Sequence, residues 1–203
     1  MKENYDKKLD DLLQNLNNTP NLLLHSCCAP CSSHVITYLT NYFNITILYY
    51  NPNISPKEEY EKRKQEQIRL IKEIPTNNKL NIIDCDYDND IYEKRIKGLE
   101  KEPERGKRCT ECFNLRLEKT ASTAKENKFN FFGTTLTVSP YKNSELINKI
   151  GYNLEKEYNI KWIPSDFKKK DGYKKSIELS KKYNLYRQNY CGCVYSIREG
   201  IEE

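Results

Sequence analysis

The apolar run Leu22-Leu23-Leu24-His25 passes directly into Ser26-Cys27-Cys28-Ala29-Pro30-Cys31-Ser32-Ser33, and this junction most narrows the folds open to the chain. The run is short and apolar and reads as a buried strand. The small residues after it read as a tight loop, and His34 to Tyr42 as the helix that follows. Strand, loop and helix in that order open a Rossmann-like half. The same order recurs. Ile45 to Tyr50 is β-branched and aromatic and predicts a second strand. Asn51-Pro52-Asn53 turns the chain, and Ser55-Pro56-Lys57-Glu58 predicts a helix start, with Ser as N-cap, Pro at N1 and Glu at N3. That helix runs to about Ile74, and Leu80 to Asp84 predicts a third strand. Alternation of this kind implies a parallel sheet with right-handed crossovers.

The remaining elements extend the pattern. Asp6 to Leu16 predicts an amphipathic helix before the first strand. Arg108 to Lys125, Glu145 to Glu157 and Asp171 to Tyr183 predict helices, and Phe129 to Thr135 and Ile160 to Ile163 predict strands. A short helix is expected after Cys193. No internal repeat or low-complexity linker interrupts the chain. The expectation is one α/β domain over residues 1–203, with a basic helical C-terminal region at about 165–203.

Six of the eight cysteines fall in three tight groups. The charged, polar N-terminus has no apolar core of a secretory signal, and no run reaches the length of a membrane span, so a cytoplasmic protein is expected. There, abundant cysteine points to metal or redox chemistry more than to structural disulfides. Cys27-Cys28, with Cys31 three residues on, lies where open α/β sheets bind ligands, beside a helix N-terminus that favours thiolates. Cys109-Thr110-Glu111-Cys112 is a C-x-x-C, whose two thiolates can hold one metal or cluster from one turn of backbone. Cys27, Cys28, Cys109 and Cys112 make a four-thiolate set that suits zinc or an iron–sulfur cluster. Adjacent cysteines are less typical of zinc knuckles and favour the cluster. Cys191-Gly192-Cys193 can close a strained, labile disulfide or share a metal. Cys85, at a strand end, reads as a small buried hydrophobe. The loop after the first strand has no glycine, so ATP is not expected there, and no Walker or dinucleotide fingerprint occurs elsewhere.

Lys and Arg number 34 against 29 Asp and Glu, a mild excess. It is concentrated: residues 161–190 hold nine basic and three acidic side chains. Such a patch suits RNA, although a solvated helix face is the commoner meaning of a charge run.

These residues resemble the cobalamin-independent epoxyqueuosine reductases, the QueH family. The likeness is carried by Leu23 to Cys31, by Tyr50-Asn51-Pro52-Asn53-Ile54 with Glu59, Tyr60 and Arg63, and by Arg108 to Leu117. It continues through Thr135 to Lys142, Asp166 to Lys169, Gly172-Tyr173, and Leu185 to Cys193. The resemblance implies a fold related to the adenine-nucleotide α-hydrolase (HUP) group, and reduction of the epoxide of epoxyqueuosine in tRNA to queuosine. It implies a [4Fe-4S] cluster held by Cys27, Cys28, Cys109 and Cys112, with Cys191 and Cys193 as a redox-active pair. It also implies a second, mononuclear iron bound in part by an Asp. Asp86, just beyond a strand end, is a candidate, with a turn or cap as the competing role.

Tyr141, Lys142 and Arg187 are candidate substrate contacts, and Tyr173, Tyr186 and Tyr190 candidate stacking platforms for RNA bases. The implied partners are the tRNA and an unidentified electron donor, with no membrane. A zinc-stabilised RNA-binding module, a tRNA sulfur-transfer enzyme and a dithiol reductase are the competing readings. The second lacks its ATP loop here, and the third leaves two cysteine groups unexplained.

Overall fold

The computed structural model describes residues 3–197. Five parallel strands, β1 (Asn21–His25), β2 (Asn44–Tyr49), β3 (Leu80–Asp84), β4 (Phe131–Thr134) and β5 (Lys161–Trp162), form one sheet in the order β3-β2-β1-β4-β5. Seven α-helices connect and flank them: α1 (Tyr5–Gln14), α2 (Ala29–Leu39), α3 (Lys57–Glu73), α4 (Asn89–Arg95), α5 (Lys107–Glu126), α6 (Ser144–Tyr158) and α7 (Gly172–Lys182). The expected strand order and parallel pairing are present.

Alternation along β1 divides the core. Leu22 and Leu24 join Val35, Ile36 and Leu39 of α2 and Leu70 of α3 on one face. Leu23 joins Phe113 and Leu117 of α5 and Ile147 of α6 on the other. Side chains with period two bury both faces of a strand only when helices cover both, as in a doubly wound sheet. On the second face Gly151 lets α6 close on the sheet edge, since a Cβ there would lie 2.2 Å from the Trp162 ring. Trp162 in turn donates its indole N–H to buried Asn148 at 3.0 Å.

Three boundaries differ from the sequence expectation. Helix α2 begins at Ala29 rather than His34, with Cys28 as N-cap and Pro30 in its first turn. Proline is tolerated there because the first helical N–H groups have no intrahelical partner. Cys31 therefore stands on the helix, not in a loop. The N-cap of α3 is Pro56, not Ser55. Ser55 is engaged elsewhere: its N–H donates to the Gly192 carbonyl at 3.0 Å, and its carbonyl accepts from the Tyr190 hydroxyl at 3.0 Å. Helix α4 was not expected; Asp88 caps it, accepting from the Ile91 N–H at 3.3 Å. The short helix expected after Cys193 is a single 3-10 turn, Val194–Ser196, and the part of the C-terminal region beyond residue 197 lies outside the described residues.

Candidate active site

The chain winds outward from β1 to β3 in one direction and returns to β4 and β5 on the other side, so the order reverses between β1 and β4. Ligands in open α/β sheets bind in the crevice beyond the strand ends at such a point. His25 and Thr134 close its floor. His25 is fully buried, with Nδ1 2.9 Å from the Thr134 hydroxyl and Nε2 3.2 Å from the Tyr50 carbonyl. A carbonyl only accepts, so Nε2 carries the hydrogen and Nδ1 accepts from Thr134. Burial, with Arg116 nearby, pushes the imidazole pKa down to about 3. His25 is a neutral brace across the two strand ends.

Above it lie the first cysteines. The Sγ atoms of Cys27 and Cys28 are 3.8 Å apart, and with Cys31 they form a group within 4.8 Å of one another. Hydrogen bonds from Cys27 and then Cys31 hold the Cys28 thiol well below its ordinary range. The same contacts, with burial, push Cys31 well above it. One thiolate is thus stabilised by two thiol donors, at the N-terminus of α2, where the helix dipole adds to the effect.

Cys109 and Cys112 occupy the first turn of α5 and are not part of that tight group. Cys109 packs against the same apolar cluster as Cys27, and its sulfur accepts from the Arg105 N–H at 3.3 Å. Cys112 is buried with Cys193, Tyr92 and Ile96, and burial pushes its thiol up to about 12.

The C-terminal segment brings the third group to the same place. Lys142, in the chain between β4 and α6, donates to the Cys191 sulfur at 2.8 Å. Burial opposes ionisation of Cys191, but Lys142 and Arg116 together outweigh it and hold the thiol below its usual range. Gly192 adopts φ +129°, and a Cβ there would lie 2.9 Å from Ile54, so glycine alone suits this crossing. Buried Arg63 donates to the Cys191 carbonyl at 3.2 Å and the Tyr190 carbonyl at 3.5 Å, and pairs with Glu59 at 2.6 Å. Gln188 donates its side-chain N–H to the Cys28 sulfur at 3.0 Å.

Cys27, Cys31, Arg116, Lys142, Gln188 and Cys191 line one cleft of about 200 Å³. Arg116 is 1% exposed, donates to the Cys112 carbonyl at 3.3 Å, and leaves Nη2 buried without a partner among the described residues. The Cys27, Cys28 and Cys31 thiols could hold a metal, and the buried cation with its unsatisfied N–H beside them suits an anionic metal group. The second iron fits less well. Asp86 is exposed, and among the described residues no Asp lines the cleft.

No disulfide joins Cys191 and Cys193 among the described residues. Tyr141, Lys142, Arg187, Tyr173 and Tyr190 all line the cleft, whereas the Tyr186 hydroxyl binds Glu59 at 3.1 Å. Cys85 packs against the apolar cluster beside α5, its thiol pushed up to about 11 by burial. Sequence reasoning gave no role to Arg116 or Gln188. For Arg116 a signal existed: it follows Cys112 by one helical turn and so shares its face of α5.

The model of the family "Epoxyqueuosine reductase QueH" matches residues 22–199. The chain belongs to the QueH family. An epoxyqueuosine reductase QueH of Streptococcus pyogenes serotype M1 is 42% identical over 99% of this chain and 81% of its own length. That of Staphylococcus epidermidis is 44% identical over 99% and 88%. QueH of Thermotoga maritima is 35% identical over 90% and 93%. Among solved structures, a "predicted subunit of tRNA methyltransferase" from Methanocaldococcus jannaschii aligns with a TM-score of 0.49 at 16% identity, covering 79% of this chain and 76% of that one.

Proposed function

We propose that this protein reduces the epoxide of epoxyqueuosine in tRNA to the alkene of queuosine, with a [4Fe-4S] cluster as electron carrier. Membership of the QueH family makes it an oxidoreductase. The observation that carries the reading is one cleft lined by Cys27 and Cys31 of the β1–α2 junction and by Cys191 of the C-terminal strap, with Cys112 of α5 packed beside Cys193.

Removing the oxygen consumes two electrons and two protons and releases water. Closing the Cys191/Cys193 dithiol to a disulfide releases two electrons, which the cluster would pass on singly, and two protons, one of them resting on Lys142 beside the Cys191 sulfur; an external donor must then reopen the disulfide. The Lys142 ammonium, lining the cleft beside Cys191, holds a proton at Nζ for the departing oxygen. The buried Arg116 guanidinium offsets negative charge that builds in the site. Cys27, Cys28, Cys109 and Cys112 would hold the cluster, which when bound supplies single electrons.

For tRNA, α7 offers Lys174, Lys175, Lys181 and Lys182 at exposed positions. Two other lysines of the basic stretch are already paired, Lys170 with Asp10 at 2.7 Å and Lys168 with Asp166 at 2.5 Å. The α7 face makes phosphate contacts, and the modified base leaves the anticodon stack to enter the cleft. No described helix is long and apolar enough to cross a membrane, and a tRNA substrate supports a cytoplasmic location.

The deciding experiment is anaerobic: iron-loaded protein, reductant and tRNA carrying the epoxide, with nucleosides read by mass spectrometry. Conversion to queuosine is expected. A full complement of iron with no loss of epoxide defeats the reading, as does protein that purifies with stoichiometric zinc and no broad visible absorption.

A further inference from the structure

Gln188 is held at one end and unsatisfied at the other. Its Nε2 lies 3.0 Å from the Cys28 sulfur. A thiolate has only lone pairs to offer, so the nitrogen, not the oxygen, must face it. That leaves Oε1, which is buried and has no hydrogen-bond partner among the described residues. The side chain lines the cleft beside Cys27, Cys31 and Cys191.

A buried acceptor without a donor is costly and calls for an explanation. The cluster cannot provide one, since thiolates and sulfides accept hydrogen bonds and donate none. It can satisfy the other orphan of the cleft, Arg116 Nη2, which is a donor. The two unpaired groups thus sort by chemistry: the donor suits sulfur, and the acceptor suits a hydroxyl or amine N–H brought in from outside.

We propose that Gln188 is a specificity residue: its carboxamide oxygen accepts a hydrogen bond from a hydroxyl or amine N–H of the modified base, while its nitrogen holds the Cys28 sulfur. This rests on the function proposed above. It joins substrate recognition to a cluster ligand through one side chain, so that the base is registered against the metal centre by a fixed amide. A site built to pair with a polar group rejects the analogue lacking it, because the buried partner is then left bare.

The test compares binding of two anaerobic tRNA preparations, one carrying the epoxide base and one with guanine at that position, to iron-loaded wild type, Gln188→Leu and Gln188→Glu. Wild type is expected to prefer the modified tRNA. Gln188→Leu should lose about tenfold of that preference, the weight of one hydrogen bond to a buried group, with affinity for the guanine tRNA unchanged. Gln188→Glu keeps an oxygen acceptor and should keep most of the preference. Iron per chain, read separately, should stay at the wild-type value in Gln188→Leu, which brings no charge to the Cys28 sulfur. An unchanged preference in Gln188→Leu overturns the inference. So does a preference lost equally in Gln188→Glu, which would make the amide nitrogen the important end. If wild type reduces the epoxide but shows no preference in binding, the inference fails and the function stands. If wild type neither prefers nor reduces it, both fail.

Discussion

The ammonium of Lys142 lies 2.8 Å from the sulfur of Cys191, tying the chain just after β4 to the last cysteine pair across 49 residues of sequence. Each group changes the other. Burial alone would strip the charge from Lys142, but the Cys191 sulfur overrides it and raises the ammonium pKa. Burial alone would keep Cys191 protonated, but Lys142 and then Arg116 hold its thiol low. The Cys191 thiol is lowered by a cation that sequence spacing does not reveal.

Lys142→Met should therefore make Cys191 a poorer nucleophile. A hydrogen bond to a charged group contributes about 1.5–3 kcal/mol, which corresponds to about 1–2 pH units. Alkylation of Cys191 by iodoacetamide, followed by mass spectrometry across pH, should show its midpoint rising by that amount. Lys142→Arg should restore most of it. The sign for stability follows from linkage. The folded pKa of Cys191 lies below the unfolded one, so the unfolded chain binds the extra proton between the two values. Over that window, up to the ordinary thiol range near about 8.5, wild type gains stability with rising pH relative to Lys142→Met. Equal midpoints in the two proteins would sink the argument.

Arg63 reaches the strap from the far side. Its guanidinium meets two consecutive strap carbonyls, those of Tyr190 and Cys191, and the Glu59 carboxylate, with the Tyr190 ring 4.9 Å from its centre. Arg63→Met should loosen residues 186–193 without touching the sulfur of any cysteine. Faster limited proteolysis within that segment is expected, with a loss of epoxide reduction of about tenfold or more, since misplacing a reacting group by about 1 Å can cost a hundredfold. Iron content should hold. Loss of iron in step with activity would make Arg63 a general stabiliser instead.

Helix α6 packs tightly on the sheet edge at Gly151, under the Trp162 ring. Gly151→Ala forces a methyl against two ring carbons 2.2 and 2.3 Å away. Overpacking of this kind typically costs about 1–3 kcal/mol. A urea midpoint lowered by that amount is expected, with an unchanged slope. The helix propensity of Ala, which favours the variant by up to about 1 kcal/mol, works against the effect and sets a floor for the steric cost. A midpoint at or above wild type would mean that α6 shifts freely on β5.

Much of the sheet was legible in the sequence because burial on both faces leaves short apolar runs that turns separate. Leu22-Leu23-Leu24 and Ile45 to Leu48 are such runs, and they pair in register as parallel neighbours. The start of α2 was not legible. Ala29-Pro30-Cys31-Ser32-Ser33 has no helical apolar period, and proline reads as a breaker unless its place in the first turn is known. Helix α4 was hidden for another reason: seven residues bury one side chain, Tyr92, too few to show a period. The cysteine groups could be counted from spacing, but not their distances. Spacing assigns Cys31 no role, yet its sulfur stands within 4.8 Å of those of Cys27 and Cys28. Cys191 and Lys142, or Gln188 and Cys28, meet only because the C-terminal strap folds back over the sheet edge.

The assignment of cluster ligands yields the sharpest test, because spacing and geometry weigh Cys31 and Cys109 differently. Proximity groups Cys31 with Cys27 and Cys28, while Cys109 stands outside that group. Ligand chemistry points the other way. A C-x-x-C pair can hold one metal or cluster from a single turn of backbone, and the start of α5 offers such a pair. Cys109 shares a helical turn with Cys112 at C-x-x-C spacing and packs on the same apolar cluster as Cys27. Cys109→Ala should therefore lose most of its iron and its broad visible absorption after anaerobic loading, as should Cys28→Ala. Cys31→Ala should retain both, within about a fifth of wild type by the spread expected of an independent site. Cys193→Ser should also retain its iron while losing turnover, which separates the redox pair from the ligands. Iron and sulfide assays on the four variants decide the matter: a Cys31→Ala protein without iron beside a Cys109→Ala protein with it would move the cluster onto the β1–α2 junction and remove the start of α5 from the ligand set.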